Sequence, residues 1–182
     1  MKIPHILHEW NVTCAEARRV QQDLAGQVKL CALPPKIEFV AGADTGSAGR
    51  RMLFAAVVVL RMPGLELVEE QVAWRPAEFP YVPGLLSFRE GPVVLAAVQK
   101  LRARPDAVVL DGQGIAHPRR LGLATHLGLW LGIPTVGCAK SRLIGEHGEP
   151  GAQRGEWAAL TDGGELIGSV LRTKSHVTPL YV

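Results

Sequence analysis

The stretch that most constrains this chain is residues 107–122, AVVLDGQGIAHPRRLG. Ala107 to Leu110 make an apolar run of strand length with two β-branched valines, closed by Asp111 and broken at once by Gly112 and Gly114. A short, wholly apolar strand is buried on both faces, which calls for an α/β sheet with covering helices. A carboxylate at the end of such a strand, followed by glycine, sits at the carboxyl edge of the sheet, where open α/β sheets bind their ligands. Glycines there admit a close approach to the backbone. The same residues also read as a plain βα connection in which Asp111 caps the next helix, so the rest of the chain must supply partners for that acid.

Upstream, Thr13 and Glu16 have capping-box spacing, and Ala17, Val20, Leu24 and Val28 follow at helical spacing, predicting a helix over 14–28. Residues 37–44 read as a strand ending in Asp44, followed by a turn over 46–51. Residues 52–60 are an unbroken, valine-rich apolar run, a strand buried on both faces, and 66–74 read as a third strand after the Pro63-Gly64 turn. Short turns between the three predict an antiparallel meander. A helix over 93–104, the Asp111 strand, a helix over 119–131 and a strand over 133–138 come next. A late hairpin joins 157–160 to 166–171 around Asp162-Gly163-Gly164. Helical crossovers make the later strands parallel. The expected fold is one domain, 1–182, of the α/β class: a mixed five-stranded sheet with helices on both faces.

Composition sets limits on function. A chain of 182 residues with 47% hydrophobic and 20% charged residues fits one soluble globular domain. No apolar run has the length of a membrane span, and the N-terminus shows no signal-peptide pattern. Cys14, Cys31 and Cys138 are widely spaced and read as free thiols, so the expected compartment is the cytoplasm. A net charge of +3 permits nucleic-acid binding without arguing for it.

Asp44 and Asp111 each end an apolar strand. If those strands are parallel neighbours, the two residues lie about 5 Å apart. Carboxylates that close repel unless they share a proton or a cation, and hard oxygen ligands suit Mg²⁺ or Mn²⁺. Unrelated turn aspartates are the plainer alternative. Glu90, at the start of the predicted 93–104 helix, is a third candidate acid or an ordinary helix glutamate. Lys140, just after a buried strand, can stabilise a leaving oxygen, or is solvated surface. His117 can orient a water or a phosphate, or is polar loop surface. His5, His8, His126, His147 and His176 show no partner spacing. In FPYVPG (79–84), Pro80 and Pro83 stiffen a loop around Tyr81, which can wedge into a base stack or else packs on the core.

Four segments together resemble the endonuclease V family, deoxyinosine-directed nucleases of the ribonuclease H-like fold. They are AGAD (41–44), PYVPGLLSFREGP (80–92), VVLDGQGIAHPRRLGLATHLG (108–128) and IPTVGCAKSRLIG (133–145). They stand in the family's order and spacing, and the similarity covers nearly the whole chain. The resemblance implies that Asp44, Asp111 and Glu90 bind metal, that Lys140 is the catalytic lysine, and that His117 is the histidine of the His-Pro-Arg-Arg segment. Tyr81 resembles the wedge of the family's Pro-Tyr-Ile-Pro motif. Gly84, Leu86, Gly112, Gln113 and Gly114 correspond to the pocket for the flipped base.

The implied reaction is DNA repair by Mg²⁺-dependent hydrolysis of the second phosphodiester 3′ to deoxyinosine, leaving a 3′-hydroxyl and a 5′-phosphate; Mn²⁺ should substitute. The expected partner is DNA containing deoxyinosine, or inosine-containing RNA, since the motifs leave the sugar open, with no membrane and no obligate protein partner. A non-catalytic binder of inosine-containing or branched nucleic acid is the alternative. Asp44-Thr45-Gly46-Ser47 lacks the family's aromatic. After a strand like PLYV the family continues through a Ser-x-Gly-His motif into a final helix that these residues do not include. The expectation from that difference is weak divalent affinity, low turnover and an open apolar patch.

Overall fold

The computed structural model describes residues 1–4, 6–49 and 51–182; His5 lies outside them. The first helix, α1 (Cys14–Ala25), carries the expected capping box, with the Glu16 N–H donating to Thr13 Oγ1 and the Thr13 N–H to Glu16. It ends at Gly26. The meander follows as β1 (Phe39–Ala48), β2 (Met52–Arg61) and β3 (Glu66–Pro76). Then come α2 (Leu86–Gln99), β4 (Ala107–Leu110), α3 (Leu123–Leu131) and β5 (Thr135–Gly137). The strand order is β3-β2-β1-β4-β5, with β1 antiparallel to β2 and parallel to β4, and β4 parallel to β5. A second, three-stranded sheet of β6 (Trp157–Asp162), β7 (Glu165–Leu171) and β8 (Leu180–Tyr181) completes the chain. The β6–β7 hairpin is the one read from the sequence.

Side-chain alternation along β2 explains where the core sits. Leu53, Ala55, Val57 and Val59 are buried and join Ala41 and Ala43 of β1 in one cluster with α2 and α3. The mixed five-stranded α/β sheet is as the sequence predicts, but its helices are placed differently. Among the described residues α2 and α3 share one face, packed on each other, rather than covering both. The reason is topological. From β3 to β4 to β5 the chain steps across the sheet in one direction, and right-handed crossovers that keep stepping one way put their helices on one side. On the other face Val72 and Trp74 are exposed, Trp74 against Phe54. Helix α1 packs instead through Ala17 against Phe79, Leu85 and Phe88.

Helix α1 ends before the predicted 28, α2 before 104, and β5 is shorter than 133–138; three further boundaries differ, each for a local reason. Helix α2 begins at Leu86 rather than Val93, with Pro92 inside it. Proline's fixed φ suits a helix, and the price is one hydrogen bond, to the carbonyl of Phe88. Gly91 beside it leaves room for the Trp10 ring, whose nearest atom would lie 2.8 Å from an added Cβ. Helix α3 begins at Leu123 rather than Arg119, because Arg120 takes a left-handed φ of 54°. Strand β1 runs on past Asp44 to Ala48, so the turn before β2 is shorter than the predicted 46–51.

Candidate active site

The acids come together through strand register. Ala43 pairs with Leu110 where β1 and β4 run parallel, and the next residue on each strand is Asp44 and Asp111. The Asp111 N–H donates to the Ala43 carbonyl at 3.2 Å, which seats the two aspartates side by side. Asp44 therefore closes the parallel pairing rather than the strand. Its Oδ1 accepts from the Thr45 N–H at 2.7 Å. Glu90 reaches the same edge from α2 and lines the same cleft as Thr45, Asp44 and Asp111. Burial, with the negative fields of Asp44 and Asp111, pushes its carboxyl above the ordinary glutamate range. Glu90 stands in the second turn of α2, so its neighbours, not a helix N-terminus, set its electrostatics. Lys140 forms an ion pair with Asp111 Oδ2, and that contact raises the ammonium above the usual lysine range.

Three carboxylates facing one ammonium leave a surplus of negative charge in a half-buried place. Hard oxygens in that balance fit a hard divalent cation. Among the described residues no three His, Cys, Asp or Glu side chains already close a metal cage. Asp111 is turned toward Lys140, with which it is ion-paired.

The acids open onto a cleft of about 350 Å³ lined by Tyr81, Pro83, Gly84, Leu86, Gly112 and Gln113. His117 and Ser87 also line it. Pro80 and Gly114 do not. Pro80 borders a separate hollow beside Trp10, and Gly114 packs inward, its carbonyl accepting from the Gly122 N–H at 2.9 Å. Tyr81 is 71% exposed, which removes the reading of it as a core-packed loop residue.

The loop after Tyr81 is locked from behind. Gly84 adopts φ +77°, and its carbonyl accepts from Gln21 Nε2 at 3.0 Å, His117 Nε2 at 2.9 Å and an Arg119 guanidinium N–H at 2.9 Å. His117 Nδ1 accepts the Arg119 N–H at 3.1 Å. With both ring nitrogens engaged by backbone, His117 positions the Gly84 loop and has none left to orient a water or a phosphate. A clamp on the opposite wall runs from Gln113 Nε2 to the Ser141 carbonyl at 2.7 Å, tying the Asp111 loop to the Lys140 segment. That segment is also bridged to β8, Ala139 and Tyr181 exchanging backbone hydrogen bonds.

Sequence reasoning missed Gln21, Arg119 and Ser87. Gln21 carried a signal: it falls between Ala17 and Leu24 on the buried stripe of α1, where a glutamine needs partners.

The Endonuclease V family profile matches residues 22–182. Endonuclease V of Trichormus variabilis is 50% identical over 177 residues, 96% of this chain and 80% of that protein. The chain belongs to the Endonuclease V family. Endonuclease V from Streptomyces avermitilis superposes with a TM-score of 0.87 at 45% identity, covering 94% of this chain and 77% of the other. Endonuclease V from Ciona intestinalis, solved in complex with a 24mer DNA containing an inosine followed by a ribo-adenosine, superposes with a TM-score of 0.78 at 25% identity. It covers 92% of this chain and 80% of its own. The segments shared with endonuclease V therefore stand on a shared mixed-sheet fold.

This endonuclease V chain should be acid-sensitive through two buried histidines. Burial is the main cause that pushes His117 down to about 4 and His126 to about 3. The unfolded chain takes up these protons below about pH 6.5, whereas the folded chain does not until far lower. The unfolded state thus binds more protons in that window, and stability falls as pH drops from about 6.5 toward 4. Each histidine contributes a loss on the order of 3 kcal/mol by full protonation of the unfolded state. Glu90, raised in the fold, acts oppositely and offsets part of the loss. Urea unfolding at pH 7.5, 6 and 5 checks this; a flat profile would show that neither histidine is held neutral.

Proposed function

We propose that this chain is a metal-dependent endonuclease that recognises deoxyinosine in DNA and hydrolyses the second phosphodiester 3′ to it. One observation carries the reading: a cleft large enough for a purine nucleoside ends at Asp44, Glu90, Asp111 and Lys140, with exposed Tyr81 at its lip. Asp44, Asp111 and Glu90 are the residues to hold Mg²⁺, or Mn²⁺ in its stead; when bound it supplies charge against the phosphorane oxygens and a more acidic water. Lys140 places an ammonium where negative charge builds on the scissile phosphate. Tyr81 fills the gap left by an extruded base, and the locked Gly84 loop meets that base with backbone already in place, so little order remains to be imposed on binding. The products are a 3′-hydroxyl and a 5′-phosphate, with the base retained.

An inosine-directed ribonuclease is the second reading, favoured by the Ciona intestinalis complex, whose DNA carries a ribo-adenosine after the inosine. The test is incubation with matched DNA and RNA oligonucleotides bearing one inosine, with Mg²⁺, with Mn²⁺ and with chelator. Cleavage of DNA at the stated bond, lost on chelation, is the expected result. Cleavage of RNA alone replaces the substrate, and binding without cleavage under any metal makes the chain a binder.

Tyr81→Ala should weaken binding to inosine-containing duplex by roughly 1–3 kcal/mol, the range for a base-stacking aromatic. Single-stranded substrate should lose less, because less stacking is broken. Anisotropy titrations of both forms decide it, equal losses marking Tyr81 as a structural residue of the loop.

A further inference from the structure

A buried polar chain lies beneath the cleft. Ser87, in the first turn of α2, lines the cleft, and its Oγ is 2.9 Å from His126 Nδ1 on α3. His126 Nε2 is 2.8 Å from His8 Nε2, and His8 Nδ1 is 2.8 Å from the Glu9 carbonyl oxygen. Ser87 is 1% exposed and His126 is wholly buried. Aromatic rings wall the pair: Trp10 stacks on Trp130 at 5.0 Å, and Phe88 lies 5.3 Å from His126. Burial pushes both histidines down, so both are neutral near pH 7.

The last member of the chain sets the direction of every hydrogen in it. A carbonyl only accepts, so His8 Nδ1 carries the proton. His8 Nε2 is then a lone pair and accepts from His126 Nε2–H; the Trp130 indole N–H points at the same nitrogen, at 3.4 Å. His126 Nδ1 is a lone pair in its turn and takes the Ser87 hydroxyl proton. The Ser87 oxygen is left with lone pairs alone.

We infer that Ser87 is a specificity-determining acceptor at the floor of the base pocket, with His126 and His8 as the positioning residues that fix its polarity. This rests on the inosine-directed reading of the cleft. A lactam purine such as hypoxanthine has a ring N–H that an acceptor-only oxygen can take. An amidine-type purine has a lone pair at that ring position, and there two lone pairs meet at the buried Ser87 oxygen. The fixed tautomers stop Ser87 from turning its hydrogen to satisfy the wrong base. A freely rotating serine would serve both.

Two measurements test the inference. The first is long-range ¹H–¹⁵N NMR on the intact chain at neutral pH. It should show His126 protonated at Nε2 and His8 protonated at Nδ1; His126 protonated at Nδ1 overturns the inference whatever the substrate. The second compares dissociation constants for single-stranded oligonucleotides carrying deoxyinosine or deoxynebularine, which has a ring lone pair in place of the N–H, both with chelator present. The wild type should prefer deoxyinosine, and Ser87→Ala, with its melting temperature recorded as a check on folding, should narrow that preference roughly tenfold. A preference undiminished in Ser87→Ala sinks the inference alone. Absence of any preference in the wild type sinks the inosine reading and the role of Ser87 with it.

Discussion

Asp111→Ala should abolish cleavage while leaving recognition of inosine largely intact. Asp111 is the meeting point of the site: it neighbours Asp44 across the β1–β4 pair and holds the Lys140 ammonium. Removing it takes one negative charge from the proposed cation site and releases Lys140 from the carboxylate it pairs with. Several kcal/mol of charge stabilisation in the transition state then goes, and each 1.4 kcal/mol is tenfold in rate, so the expected loss is about 10³-fold or more. The pocket walls at Gly84 and Leu86 do not contact Asp111 through hydrogen bonds, so binding to an inosine oligonucleotide should change by well under tenfold. Folding stability should hold or rise slightly, because the substitution relieves repulsion among Asp44, Glu90 and Asp111. The combination separates chemistry from folding: single-turnover cleavage falls, while anisotropy and melting temperature do not. Near-normal turnover in Asp111→Ala would remove the metal assignment altogether.

That pair of aspartates was also the most legible part of the chain. Period and composition mark β1, β2 and β4 as buried strands, with Asp44 and Asp111 following apolar runs. That β1 and β4 are parallel neighbours is only a condition in the sequence reading, and the register meets it. Glu90 was legible as a candidate but not in its setting, because Pro92 reads as a helix break when it is inside α2. The side of the sheet that the helices cover depends on the order of strands across it, and no local pattern carries that order.

The supports of the site were harder still to see. The triple hydrogen bond on the Gly84 carbonyl joins α1, the Gly84 loop and the His117 turn, separated by up to 98 residues between Gln21 and Arg119. The His8–His126 pair spans 118 residues. Spacing rules apply within one element, and these partners meet only once the fold has formed. His117 shows the cost of reading a residue type alone: a histidine beside an acid invites a catalytic role, whereas its ring is occupied by two backbone groups.

Gly137→Ala should be severely damaging although it touches no charged group. Gly137 lies on β5, where the sequence offers only a small residue in a short buried strand. A Cβ there would stand 2.4 Å from the Gly114 nitrogen, 2.7 Å from the Gly112 oxygen and 2.8 Å from the Gln113 carbonyl carbon. All three are backbone atoms of the loop that follows Asp111. A Cβ on Gly122 would likewise meet the Gln113 and Gly114 oxygens at 2.3 and 2.6 Å. The loop backbone is therefore in close contact with two glycines at once. Overpacking against side chains costs about 1–3 kcal/mol, and against backbone the upper end or more is expected. Activity should fall further than stability, because the loop that must shift carries Asp111 and, through the Gln113–Ser141 hydrogen bond, the Lys140 segment. A displacement of about 1 Å at reacting groups is enough for a 10²-fold loss. Gly26→Ala is the control: its Cβ meets nothing within 4 Å, it lies past the end of α1, and its φ of −68° suits any residue. Melting temperature and single-turnover rate for both variants, taken well below the melting transition, decide the matter. Full cleavage by folded Gly137→Ala would mean that the loop has slack, and that the geometry of Asp111 does not depend on the two glycines packed against that loop.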